Sequence, residues 1–131
     1  MLSGFLGIFP AWLGDRKKAL QFFSKANLEF FCDPFYQCTE YAMTSDEQHK
    51  PYGIVTPFLT GRGSLLSGLM MGLTRLSIWH DNVDDWLEGP IVLPEGWEEI
   101  EIARIWIKGR PARVRAVNGA EHARIEWLEA E

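Results

Sequence analysis

Two cysteines, Cys32 and Cys38, are all that this chain of 131 residues contains. That is too few for a disulfide scaffold, and their spacing suits neither a redox pair nor a zinc pair. Histidine is nearly as scarce. His49, His80 and His122 sit in three separate segments, none at a metal-ligand spacing from another, so no metal or cofactor is expected. No apolar run approaches the ~20 residues of a membrane span. The apolar start, Met1 to Phe9, lacks a charged leader and runs into Pro10 and Trp12 instead of a small-residue cleavage site. It reads as buried structure, and the chain as cytoplasmic with no membrane partner. Basic charge is also short: 13 Lys+Arg against 18 Asp+Glu leave a net charge of -5. The densest basic group, Lys108, Arg110, Arg113 and Arg115, reads as a hairpin face, and no nucleic-acid partner is expected.

What the chain does have is rings. Six Trp, eight Phe and three Tyr accompany a hydrophobic fraction of 47%, in a mass of 15.0 kDa that suits one domain. Either these rings form a dense aromatic core, or part of the surface belongs against something else. Asp15 is a plausible N-cap for a helix over 16–31, because Ala19, Phe22, Phe23, Ala26 and Phe30 recur on one helical face. Asp33-Pro34 ends it. Residues 35–60 show no sustained periodicity, and 44–51 reads as an exposed loop. A second helix is predicted after Thr60-Gly61-Arg62-Gly63, with Leu65, Leu66, Leu69, Met70 and Leu73 as its stripe. Gly68 and Gly72 should let another element approach closely. It carries little charge and is expected to be buried on most sides.

Beyond Leu76 the period shortens. Leu76 and Ile78 suggest a strand, and 81–85 forms an acidic, turn-rich loop without the ordered oxygen positions of a calcium site. Ile100, Ile102, Ile105 and Ile107 make an extended run whose alternation slips near Ala103-Arg104, which predicts a bulge. Gly109-Arg110-Pro111 turns it back into 112–117. Asn118-Gly119 is the strongest hairpin signal, leading to 123–127. The predicted fold is therefore α+β, with a helical segment over 1–80 and an antiparallel meander over 81–131.

Two places carry candidate chemistry. Thr60-Gly61-Arg62-Gly63-Ser64 opens a helix, where free amides and Arg62 could receive an anion; the same glycines also suit a plain tight turn. Glu40 stands between Tyr36 and Tyr41. Rings beside a carboxylate desolvate it, which tends to raise its pKa and suits general acid or base work. A loop glutamate held by a hydrogen bond is the alternative.

Three motifs occur in order: Asp33-Pro34-Phe35-Tyr36-Gln37-Cys38-Thr39-Glu40, Phe58-Leu59-Thr60-Gly61-Arg62-Gly63-Ser64-Leu65-Leu66, and Gly89-Pro90-Ile91-Val92-Leu93-Pro94-Glu95-Gly96-Trp97. Together they resemble the C-terminal end of glycoside hydrolase family 65, which includes acid trehalases, disaccharide phosphorylases and glucosidases. Ser67 stands where that family has a glutamine. The resemblance implies the terminal helices of an (α/α)6-type barrel followed by a small antiparallel β-domain. It also implies a catalytic base at Glu40, with Tyr36 and Tyr41 lining a sugar pocket and Thr60 and Arg62 close to substrate. Inverting hydrolysis needs a second carboxylate across the bond. In the phosphorylases inorganic phosphate attacks instead.

A chain of this length is expected to hold only the last helices of such a barrel and to be inactive alone. Its partners are then a sugar or disaccharide and the rest of a barrel, or a second copy through its apolar helices. The alternative is a non-catalytic module that binds carbohydrate or protein through exposed Trp79, Trp86, Trp97 or Trp106.

Overall fold

The computed structural model describes residues 3–32, 37–38 and 59–129. The order is α1 (Ser3–Leu6), α2 (Ile8–Trp12), α3 (Arg16–Phe30), β1 (Phe31–Cys32), β2 (Gln37–Cys38), α4 (Leu59–Ser67), β3 (Glu99–Ile107), β4 (Arg110–Val117) and β5 (Arg124–Trp127). This is an α+β arrangement: helices first, then a three-stranded antiparallel sheet in the order β3-β4-β5. Among the described residues no helix is long and apolar enough to cross a membrane.

Helix α3 starts where the sequence predicts. The Asp15 carboxylate accepts from the Lys18 amide at 2.9 Å, satisfying one orphan donor of the first turn. Ala19 and Phe23, from the expected stripe, are buried. The start of the chain is only partly buried: Ile8 and Ala11 reach the core, whereas Phe9 and Trp12 are about half exposed.

Helix α4 begins by Leu59, so Thr60 to Ser64 lie inside the helix and not in a turn before it. Its burial is also less than predicted. Leu73 is buried, but Leu59 and Leu66 stand exposed. After Ser67 the helix widens into a π segment over Gly68–Gly72, with Leu73 N–H reaching back to Gly68 O at 2.9 Å. The predicted close approach is at Gly72, where an added methyl would overlap Ile8 Cδ1.

Leu76 and Ile78 do not form a strand. Leu76 makes one antiparallel bridge to Leu87, and Ser77 N–H donates to Trp86 O at 2.8 Å. The acidic loop contains a short 3-10 turn over Val83–Trp86, capped by Asn82.

The sheet has the predicted bulge, a register shift between Ile102 and Ile105. The turn expected at Gly109-Arg110-Pro111 is present, one residue earlier. Lys108 (φ 48) and Gly109 (φ 78) both take positive φ, the signature of a two-residue type I′ hairpin between β3 and β4. At Asn118-Gly119 only the glycine is positive, with φ 82, and Ala120 N–H donates to Val117 O at 3.0 Å. That matches a type II turn, which does not return the strand directly. Asn118 is instead a fastener. Its Oδ1 accepts from Leu93 N–H at 3.0 Å, while Ile91 exchanges bonds with Ala120 O and Gly119 N–H, both at 2.8 Å.

One core unites the two kinds of structure. Phe23 of α3 and Leu73 join Ile91, Leu93, Ile107, Val114 and Ala116 in a single buried cluster. Trp97 stacks on Phe23 at 6.0 Å between centroids. Replacing Asn118 by Ala leaves the Leu93 amide without its acceptor and is expected to cost roughly 1–3 kcal/mol. Asn118→Asp keeps the acceptor and should cost less. Urea midpoints of the two variants check this order.

Candidate functional site

Of the predicted site residues, Tyr36, Glu40 and Tyr41 lie outside the described residues. Thr60 and Arg62 are exposed on α4. Residues two apart on a helix are separated by roughly 200° around its axis, so α4 does not bring these two side chains to one face. Inside α4, Ser64 Oγ donates to Gly61 O at 2.8 Å and both residues are buried. Among the described residues no group of His, Cys, Asp and Glu could hold a metal ion.

A concave site forms at the end of the helical part. Leu76 N–H reaches back to Met71 O at 3.1 Å, the closing bond of a Schellman helix end. The residue before it must then be left-handed, and it is Arg75, with φ 59. Glycine is the ordinary occupant, because a side chain there costs about 1–2 kcal/mol. The arginine is held by its contacts. Its guanidinium lies over the Trp12 ring at 4.6 Å, and Nε donates to Glu88 O at 3.2 Å. Its tip lies against Gly89, where φ 61 and the absence of a side chain make room. Glu88 N–H returns a bond to Arg75 O at 3.1 Å.

Trp12 is fixed as well. Its indole N–H donates to Gly72 O at 2.8 Å, and Phe9 meets it edge to face at 6.2 Å. Between these groups and the Ile78-Trp79 turn runs an open groove of ≈ 810 Å³. Phe5, Phe9, Trp12, Met71, Ile78 and Trp79 supply its apolar wall, and Arg75 and Glu88 its charges. Trp79 is 87% exposed. The Glu88 carboxylate faces His80 Nε2 at 3.4 Å. Of the four tryptophans singled out in the sequence, Trp79 and Trp106 are exposed, whereas Trp86 is buried and Trp97 half-buried.

The outer face of the sheet is a charge lattice. Arg113 meets Glu126 at 3.3 Å and Glu101 at 3.8 Å, and Arg115 Nε donates to Glu99 at 2.9 Å. That hydrogen bond, then the charge of Glu99, raises the Arg115 pKa above its ordinary value. The side chains of these pairs are about half exposed, so each pair contributes little to stability.

The aromatic groove was not read from the sequence. Its walls come from residues some sixty positions apart, as in Trp12 and Gly72, and no local period reveals such a pairing. The legible signal was the excess of rings.

Comparison with protein-family models, curated proteins and solved structures finds no match.

Two glycines test this geometry. Gly72→Ala forces a methyl against Ile8 under the groove floor and is expected to destabilise by about 1–3 kcal/mol. Gly63→Ala, on the same helix with open space around it, should stabilise by up to about 1 kcal/mol. Thermal melts of both variants measure the contrast.

Proposed function

We propose that this chain forms the closing helices and β-domain of a carbohydrate-active enzyme that hydrolyses or phosphorolyses α-glucosides. It works together with further helices that complete an (α/α)6-type barrel. The observation that carries this reading is the ordered set of three motifs over residues 33–97, followed by an antiparallel sheet. The unevenness of the surface supports it. Leu13 and Leu59 are 85% and 76% exposed, and Leu6 and Leu66 are also exposed. Exposure of this kind is compatible with a surface that further helices cover.

In this reading Glu40 is the base that activates water, and Tyr36 and Tyr41 bound the sugar. Arg62, from α4, carries the positive charge that phosphate needs in phosphorolysis, while Thr60, on another face of the same helix, does not share that role. The opposing acid belongs to another helix, because inverting hydrolysis requires two carboxylates with a water between them.

The test is turnover of maltose and trehalose, with and without inorganic phosphate, by the protein as purified from its source cells. Glu40→Gln is expected to lower turnover by roughly 10²–10⁴-fold with an unchanged circular dichroism spectrum. The isolated 131-residue chain is expected to be inert. Undiminished turnover in the Glu40 variant removes that residue from the mechanism, and turnover by the isolated chain contradicts the need for further helices.

A further inference from the structure

We infer that the groove between α2 and the Ile78-Trp79 turn is a binding site for a neutral pyranose sugar. Trp79 is its stacking platform, and Arg75 and Glu88 form its polar end. The inference goes beyond the proposed function, since it adds a sugar site that depends on neither Glu40 nor an opposing acid.

Three features of the groove converge on this ligand. The first is size and lining. A volume of ≈ 810 Å³ falls within the roughly 300–1,000 Å³ of small-molecule sites, which are mostly apolar with a few placed polar groups. The second is the charge balance. The lining carries one cation, Arg75, and one anion, Glu88. A charged ligand meets repulsion as well as attraction there, whereas a neutral polyol finds a donor and an acceptor together. A pyranose has the matching anatomy, with an apolar C–H face for an indole and hydroxyls at its edge for a guanidinium and a carboxylate.

The third feature is Arg75 itself. A helix end that calls for glycine carries an arginine, whose guanidinium is held between the Trp12 ring and the Glu88 carbonyl. Packing alone does not need this residue, because glycine closes the helix without strain. Its presence puts a fixed planar donor at the mouth of an aromatic groove. Trp79, by contrast, is 87% exposed and contributes little to the core. A ring in that position is available to a ligand.

The experiment is a titration of the full chain with glucose, maltose and trehalose, followed through the indole N–H resonances of its six tryptophans. Saturable binding is expected, with the Trp79 resonance shifting most. Trp79→Ala should weaken it at least tenfold. Trp106→Ala, which removes an exposed indole from the sheet, should leave it unchanged. Failure of all three sugars to saturate the shift overturns the inference, as does undiminished binding by Trp79→Ala. A Trp79→Ala protein that loses self-association instead of sugar binding also overturns it, and makes the groove a contact between copies. Because Glu40 takes no part, this result is independent of turnover: the groove can fail while Glu40 catalysis stands, and the reverse.

Discussion

The guanidinium of Arg16 joins the two halves of this molecule. Standing at the first turn of α3, it donates to Leu93 O at 2.9 Å through Nε and to Pro94 O and Trp97 O at 3.3 and 2.9 Å. The backbone of the same residue accepts from Glu95 N–H at 3.0 Å. Three carbonyls of the segment that feeds the sheet are thereby pinned to the helix start. Charge-assisted bonds to carbonyls are among the stronger ones available, and these hold Trp97 where it stacks on Phe23. Without that joint the core, which draws on α3 and on β4 alike, would lack a fixed lid at its helical end.

From this joint the rest of the geometry follows outward. The segment held by Arg16 also meets the Asn118 turn, through Ile91 and Leu93, so the sheet is anchored on both sides of one extended stretch. On the other flank, α2 lies against the π segment because Gly72 has no side chain, and the Trp12 indole takes the Gly72 carbonyl. A widened helical turn leaves carbonyls that ordinary α-helical bonding would have used. The aromatic groove lies beside this contact, walled by Phe9, Trp12 and Met71.

Legibility in the sequence followed locality. The Asp15 cap, the α3 stripe, the β3 bulge and the helix-to-sheet order all arise from neighbours within a few residues, where period and capping chemistry speak directly. The hairpin signalled by Asn118-Gly119 does join β4 to β5, but its turn type was not legible, because the dipeptide fits more than one and a distant partner, Leu93, engages Asn118. Lys108 at φ 48 gave no warning, since lysine is not a residue that advertises a left-handed conformation. Thr60 and Arg62 were legible as residues but not as a geometry: the glycines around them suggested the opening of a helix or a tight turn before it, and the segment lies inside the helix. The groove was the least legible feature, being assembled from α1, α2, the π segment and the turn at Trp79.

The account rests most on the claim that helices and sheet are one cooperative unit joined at Arg16. Amide hydrogen exchange, resolved by residue over a series of denaturant concentrations, tests it directly. The amides of Ala19 to Phe23 and those of Val114 to Ala116 should open with the same free energy and the same denaturant dependence. In Arg16→Ala the two sets should separate, with the α3 amides opening first. Helical and sheet amides that already open independently in the unaltered chain would contradict the claim.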